Sequence, residues 1–104
     1  MGYNKAMFTV RHSNEFDRWL RGLRDVHVRA RLIKRLKKLE MGLLGDFKLL
    51  EDGVLELRED FGPGWRMYGT QRGQTLILML GGGNKSTQRA DIKAAKAMAK
   101  TIED

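Results

Sequence analysis

The order of apolar and polar positions divides the chain into extended and helical stretches. Residues 6–11 predict a short strand. After it, Phe16 and Leu20 recur at helical spacing, and either Ser13 or Asn14 can cap that helix at its N-terminus. The pattern therefore predicts a strand followed directly by a first helix.

A second helical repeat begins a few residues later. Asp25 can cap it, and Gly42 occupies the position that glycine favours just beyond the end of a helix. Four apolar residues between them form one stripe at helical spacing: Val28, Leu32, Leu36 and Leu39. Because so few residues separate the two helices, we expect a helical hairpin.

The rest of the chain is mainly extended. Short turns of glycine, proline and polar residues separate four predicted strands: 46–50, 53–60, 64–71 and 74–80. Such short connections favour antiparallel neighbours. A last helix is predicted from about Thr87 to Ile102, with Thr87 as its cap. We therefore expect a single α+β domain over residues 1–104, with the order β-αα-ββββ-α and helices packed on a curled, mostly antiparallel sheet.

Composition narrows the classes of function. The chain has no cysteine, which excludes a disulfide scaffold and cysteine-based zinc sites. Its two histidines, His12 and His27, lack the spacing of metal-binding motifs. No apolar run is long enough to span a membrane and the start does not resemble a signal peptide, so we expect a cytoplasmic protein.

The charge balance favours polyanionic partners. The chain has 20 Lys and Arg residues against 13 acidic ones, a formal net charge of +7. Such an excess is typical of proteins that bind nucleic acid, the ribosome or an acidic protein, although it also serves solubility alone. The second helix carries much of it, in a basic run that consists of Arg29, Arg31, Lys34, Arg35, Lys37 and Lys38. Four of these are candidate RNA contacts: Arg29, Lys34, Lys37 and Lys38. A solvated outer face of the helical hairpin is the equally acceptable alternative.

The segment GGGNKST, residues 81–87, has some features of a phosphate-binding loop. It does not match a P-loop, because that pattern would need glycine where Met79 and Asn84 stand. Flexible glycines, Lys85 and a helix N-terminus can nevertheless hold a phosphate without a metal ion. The alternative is a glycine turn with a purely structural role.

Alternation along the middle strands predicts a polar cluster on one face of the sheet. Glu56 and Arg58 share a face of one strand, and Arg66 and Tyr68 share a face of the next. If the apolar residues face the core, these four side chains lie on an open face, which Lys48 could join from a neighbouring strand. Arginine binds phosphate bidentately and can stabilise charge in a transition state. The alternative is a ladder of surface ion pairs, Glu56 with Arg66 or Arg58 with Asp60.

Five segments, in this order along the chain, resemble the RelE/ParE superfamily of toxin–antitoxin toxins. They are FDRWLRGLRD, ARLIKRLKKLEMG, GDFKLLEDGVLELRE, GPGWRMY and LMLGGGNKSTQRADIKAAKAMA. Within that superfamily the chain is most similar to the HigB-like group of addiction-module killer proteins. The resemblance covers about residues 8–100 and implies a small RelE-like domain.

The resemblance implies a type II toxin that inhibits translation by cutting messenger RNA in the ribosome. In RelE-like members the 2′-hydroxyl attacks the adjacent phosphate, and no metal or other cofactor takes part. By position in the motifs, Arg66 would stabilise the pentacovalent phosphorane and Arg58 would be a second catalytic arginine. Lys48 and Lys85 are further catalytic candidates by place, either of which could act as the base.

We also expect roles for two more residues of the polar cluster. Glu56 stands where RelE has a catalytic lysine and would support the site, and Tyr68 would contact the RNA. The implied partners are a cognate antitoxin protein, the ribosome and messenger RNA. ParE-like relatives share the fold but poison DNA gyrase without nuclease chemistry, so a gyrase poison is the alternative. A basic regulator that binds nucleic acid is a third possibility.

Overall fold

The structure, a computed structural model, describes residues 7–102. Within this range the strands are β1 Thr9–His12, β2 Phe47–Leu49, β3 Val54–Glu59, β4 Trp65–Arg72 and β5 Leu76–Asn84. The helices are α1 Asn14–Arg21, α2 Val26–Glu40 and α3 Gln88–Thr101, and short 3₁₀ turns at Glu51–Gly53 and Lys85–Thr87 precede β3 and α3. The predicted order β-αα-ββββ-α is confirmed. Ala6, the first residue of the predicted strand 6–11, and both ends of the range 1–104 lie outside the described residues.

The five strands form one sheet in the order β1-β5-β4-β3-β2. From β2 to β5 each strand is antiparallel to the next, as the short turns predict. β1 is parallel to β5, at the opposite edge from β2. A parallel neighbour needs a long connection, and the two helices between β1 and β2 carry the chain across the sheet.

The first two helices begin and end as their sequences predict. The Ser13 hydroxyl accepts a hydrogen bond from the Phe16 N–H at 3.0 Å, and the Asp25 carboxylate accepts one from the His27 N–H at 2.9 Å. Gly42 has a φ of +82°, which glycine adopts without strain. These local bonds satisfy backbone groups that a helix end would otherwise leave unpaired.

Thr87 is the N-cap residue of α3, as predicted, but it does not cap the helix with its side chain. Its hydroxyl donates to the Asp91 carboxylate and accepts a hydrogen bond from the Asn84 N–H at 3.3 Å. The chain first forms a 3₁₀ turn, which Asn84 caps by accepting from the Ser86 N–H at 2.8 Å. Asn84 therefore fixes the approach to α3, and the helix follows from that turn.

One face of the sheet, which we call the apolar face, packs against α1 and α2. The core between this face and the two helices consists of the buried residues Phe16, Leu20, Leu32, Leu36 and Leu39 of the helices and Leu55, Leu57, Met67, Ile77 and Met79 of the strands. Burial of each large apolar side chain contributes about 1.5–3 kcal/mol of transfer free energy. This face therefore supplies most of the hydrophobic stabilisation of the fold.

The opposite face of β3 and β4, which we call the charged face, lies under α3. Its apolar contacts are fewer and smaller, and they include Val54, Leu80, Ala95 and Ala99. The expectation of an open face is therefore wrong, because a helix covers part of it. Sequence alternation correctly assigns residues to the two faces, but it does not reveal which helix packs on each one.

Arg35 belongs to the basic run of α2 but is buried, with 7% of its surface exposed. Its guanidinium donates to the backbone carbonyls of Arg58 at 2.7 Å, Leu44 at 2.7 Å and Asp46 at 2.6 Å, and to the Glu59 carboxylate. It therefore ties α2 to β3 and to the loop before β2.

Candidate functional site

The strand register brings five of the predicted site residues together on the charged face. Arg58 on β3 lies directly opposite Arg66 on β4, and Glu56 lies opposite Tyr68. On the other side of β3, Lys48 of β2 lies opposite Glu56. Residues directly opposite each other in antiparallel strands have their side chains on the same face.

These five side chains differ sharply in exposure. Glu56 and Tyr68 are fully buried, and Arg66 is 4% exposed. The Arg58 side chain keeps 32% of its surface exposed, and Lys48 is also exposed. An incoming ligand can therefore reach Arg58 and Lys48 directly, whereas the expected contact of Tyr68 with RNA is not possible in this arrangement because α3 covers that side chain.

Two arginines directly opposite each other repel, and a carboxylate compensates each one. The Arg58 Nε donates to Glu56 at 2.9 Å. The Arg66 Nη1 donates to Asp60 at 3.3 Å and to the Trp65 carbonyl at 2.9 Å. The ladder expected from the sequence paired Glu56 with Arg66 and Arg58 with Asp60, so its partners are exchanged.

Both arginines keep donor groups that the protein does not use. In the described part of the chain, the only side-chain hydrogen bond of Arg58 uses its Nε, so its two terminal nitrogens have no hydrogen-bond partner there. The buried Nε of Arg66 has no partner among residues 7–102. The terminal nitrogens of the half-exposed Arg58 suit a tetrahedral anion such as phosphate, and the buried Arg66 adds a fixed positive charge beside them.

Glu56 is held from two sides. Its Oε1 accepts from Arg58 and its Oε2 accepts from the Gln88 amide, both at 2.9 Å. Burial raises the pKa of Glu56. The hydrogen bonds from Gln88 and Arg58 and the positive charges of Arg58 and Arg66 together lower it by more, so the pKa lies below 4.5. Glu56 is therefore ionised at neutral pH. The hydrogen bond that Arg58 donates to Glu56 also raises the pKa of Arg58.

Tyr68 has a buried hydroxyl group beside Glu56. Among residues 7–102 that hydroxyl makes no hydrogen bond. Burial raises the pKa of Tyr68, and the negative charges of Glu56 and Asp91 raise it further. The phenol therefore stays protonated, and Tyr68 serves as the centre of the packing under α3.

Lys85 lies at the end of β5, beside the turn that precedes β4. A β-carbon placed on Gly64 would be 2.9 Å from the Lys85 Cγ, so the lysine stem packs directly on that glycine. Gly64 has a φ of +80°, which also favours glycine. The turn containing Pro63 and the start of the 3₁₀ turn are thus packed together, with Lys85 itself exposed.

The three consecutive glycines do not form a phosphate-binding loop. They belong to β5 and pair with β4. Both predictions for this segment, a flexible phosphate-binding loop and a structural glycine turn, are therefore wrong. A β-carbon at Gly82 would lie 2.4 Å from the Trp19 ring, and one at Gly83 would lie 1.9 Å from the Asp91 carboxylate. These glycines allow α1 and α3 to approach the strand closely.

The candidate RNA contacts on α2 have different surroundings. Arg29 donates to the carbonyls of Leu23 at 2.9 Å and Arg21 at 3.2 Å, so it holds the turn between α1 and α2. Lys34, Lys37 and Lys38 are exposed. A cavity of about 190 Å³ on this helix is lined by Arg31, Lys34, Arg35, Lys38 and Glu59.

A second cavity extends from that surface to Arg58. It has a volume of about 320 Å³, and its charged lining residues are three basic ones, Arg35, Lys38 and Arg58, and three acidic ones, Asp46, Glu59 and Asp60. The two cavities share three residues: Arg35, Lys38 and Glu59. Beside them Arg31 lies over the Phe61 ring, 3.7 Å from its centre. We call the two adjoining cavities the basic groove, which leads from α2 to Arg58.

Other classes of site find little support in the described residues. Within residues 7–102, no three His, Asp or Glu side chains are grouped so as to hold a metal ion. His12 packs edge-on against Phe16, and its Nδ1 is 3.8 Å from the Asp17 carboxylate. In the same range, every helix is too short or too polar to cross a membrane.

Comparison with known proteins finds similarity both in sequence and in fold. No protein-family model matches the chain. A protein of Haemophilus influenzae, described as uncharacterized, is 42% identical over 87 residues, covering 84% of this chain and 88% of that protein. A chain of the toxin–antitoxin complex RelBE2 from Mycobacterium tuberculosis has a TM-score of 0.63 and 20% identity, covering 77% of this chain and 100% of that chain.

The chain belongs to the family of the Haemophilus influenzae protein. Its three helices on an open five-stranded sheet match the RelE-like toxin fold, which confirms the predicted fold class. At 20% identity the structural match establishes the fold alone.

Proposed function

We propose that this protein is the toxin of a type II toxin–antitoxin system, of the HigB-like group, and that it cleaves messenger RNA on the ribosome without a metal ion. The observation that carries the proposal is the opposed pair Arg58 and Arg66, which keeps unused donors beside an ionised carboxylate. The RelE-like fold supports the same conclusion.

The arginine pair would bind the scissile phosphate and stabilise the charge that develops on it. Glu56 and Asp60 each compensate one arginine, and the terminal nitrogens of Arg58 remain for an anionic ligand. Arg66 is fixed by Asp60 and by the Trp65 carbonyl. A donor held in place before the reaction needs no reorganisation when the phosphorane forms.

The remaining catalytic candidates lie at either side of the pair. The 2′-hydroxyl must lose its proton as it attacks the adjacent phosphate, and the leaving 5′-oxygen must gain one. Lys48 is opposite Glu56 on one side, and Lys85 packs on the turn before β4 on the other. These two lysines are the candidate groups for proton transfer.

The basic groove would hold the RNA that flanks the scissile phosphate. Its exposed cations Lys34 and Lys38 lead to Arg58, and Lys37 lies on the same helix. Arg29 would act indirectly, by holding the helical turn. The net charge of +7 would also favour binding of an acidic segment of a cognate antitoxin, and electrostatic attraction would speed that association.

Growth after induced expression tests the proposal. We expect the wild type to stop growth with messenger RNA cut, and Arg66→Ala to allow growth while remaining folded. Arg24→Ala removes an equal charge from an exposed site in the turn after α1 and should stop growth like the wild type.

Three results would contradict the proposal. A folded Arg66→Ala variant that stops growth as fully as the wild type would exclude the proposed site. Intact messenger RNA with altered DNA supercoiling would favour a gyrase poison. Normal growth, together with salt-sensitive binding of free nucleic acid, would favour a basic regulator.

A further inference from the structure

We propose that Gln88, the first residue of α3, is a positioning residue for the arginine pair. Through its amide it holds one oxygen of Glu56, so that the other oxygen orients Arg58 and neither is available to Arg66. This inference rests on the proposed function only for its kinetic consequence. The positioning itself follows from contacts among Gln88, Glu56 and Arg58.

The geometry of Glu56 is the first step. Each carboxylate oxygen accepts one hydrogen bond of 2.9 Å, one from Arg58 and one from Gln88. A planar carboxylate held at both oxygens cannot rotate without breaking one of the bonds. The direction in which Glu56 faces Arg58 is therefore set in part by α3.

Burial makes this contact consequential. Glu56 is fully buried, so water does not replace a donor that is removed. A buried carboxylate oxygen that loses its donor carries an uncompensated desolvation penalty, which is larger for a charged group than for a neutral one. Without Gln88, the carboxylate would therefore turn toward another donor.

The alternative donors are the Tyr68 hydroxyl and the Arg66 Nε, which are both buried and have no hydrogen-bond partner among residues 7–102. The positive charge of Arg66 already lowers the pKa of Glu56, so Arg66 attracts the carboxylate more strongly. A Glu56 side chain turned toward Arg66 would neutralise that arginine and release Arg58. Gln88 prevents this because its amide N–H satisfies that oxygen.

The position of Gln88 is itself well defined. It follows the 3₁₀ turn that Asn84 caps, and the stem of Lys85 packs on Gly64. The amide is thus held at the end of β5, where the chain passes over the charged face. Sheet alternation cannot predict this contact, since Gln88 belongs to a helix.

Kinetics of RNA cleavage in a translating extract test the consequence. Gln88→Met keeps the length of the side chain and removes the donor. We expect its kcat to fall on the order of 10-fold to 100-fold with KM unchanged, because the basic groove is intact while the reacting group is misplaced. Gln88→Lys restores a donor to Glu56 and should recover most of the lost kcat.

The Arg58 Nε–H signal in a ¹H–¹⁵N NMR spectrum tests the contact without any activity. In Gln88→Met this signal should move toward the position of exposed arginines, and in Gln88→Lys it should stay near the wild-type position. Ala97→Met, at an exposed position of α3, is the matched control and should change neither kcat nor the signal.

The two measurements separate this inference from the proposed function. If the wild type cleaves no RNA, the proposed function is wrong, and the Arg58 signal alone decides the positioning. A Gln88→Met variant whose Arg58 signal is unchanged overturns the inference, whether or not its kcat falls.

Discussion

The two faces of the sheet are both covered by helices, yet they are built from different residues. The apolar face buries five hydrophobic strand side chains against five hydrophobic side chains of α1 and α2. The charged face buries Glu56, Arg66 and Tyr68 under α3, whose buried side chains Ala95 and Ala99 are small and whose Ile92 and Met98 are partly buried. The comparison shows that stability and charge are concentrated on opposite sides of the same strands.

β4 joins the two faces through its alternation. Met67 is fully buried on the apolar face, while its neighbours Arg66 and Tyr68 point under α3. Packing of Met67 therefore fixes the backbone from which Arg66 extends. A site built this way needs little reorganisation, since the strand that carries the arginine is held by the core.

The largest expected effect on stability comes from the apolar face. Phe16→Ala should lower the free energy of unfolding by about 3–5 kcal/mol, because it removes a fully buried ring. Urea denaturation measures this loss. Phe47→Ala, at a side chain that is 38% exposed, is the control and should cost less than about 1 kcal/mol. Equal losses would contradict the assignment of the core.

The glycines of β5 allow a test of close packing between helices and sheet. Gly82→Ala should cost about 1–3 kcal/mol, because the new methyl group would overlap the Trp19 ring. Gly81→Ala is the matched control, since no described atom lies within 4 Å of a β-carbon placed there. Thermal unfolding that ranks the two variants in the reverse order would contradict this packing.

Acid should affect the charged face through Glu56. Because the pKa of Glu56 is lowered in the folded protein, its ionised carboxylate contributes its full stabilisation above pH 4.5. That stabilisation is lost as the pH falls through the pKa of the folded state. Glu56→Gln should cost about 1.5 kcal/mol at neutral pH and should unfold with a weaker dependence on pH below 4.5. An unchanged dependence on pH would mean that Glu56 is not ionised in the folded protein.

The smallest expected effect is that of Tyr68→Phe. Removing a buried hydroxyl without a hydrogen-bond partner should change the stability at neutral pH by less than about 1 kcal/mol. Because the folded pKa of Tyr68 is raised, the wild type loses stability as pH rises above 10.0, and the variant should lose less. Chemical denaturation on both sides of that pH measures the difference.

The sequence predicts the elements of this fold because their signals are local. Ser13 and Asp25 cap the helices that their positions indicate, and alternation assigns Arg58 and Arg66 to one face. The burial of that face and the contact of Gln88 with Glu56 could not be predicted, since they depend on where α3 packs. Alternation identifies the residues of a face but not what covers it.

Arg35 had a signal that sequence reasoning missed. It lies three residues after Leu32 and four before Leu39, which places it on the buried side of α2. The basic run as a whole predicts an exposed outer face of α2, and this prediction is wrong for Arg35. The glycines of residues 81–83 gave no comparable signal, because consecutive glycines are typical of loops and the close approach of Trp19 and Asp91 is a tertiary contact.

The rate of messenger RNA cleavage in a translating extract tests the central claim most directly, namely that the charged face is a nuclease site separate from the stabilising core. Arg66→Ala should cleave on the order of 10²-fold to 10³-fold more slowly than the wild type while keeping a cooperative unfolding transition. A folded Arg66→Ala protein that cleaves at the wild-type rate would contradict the account.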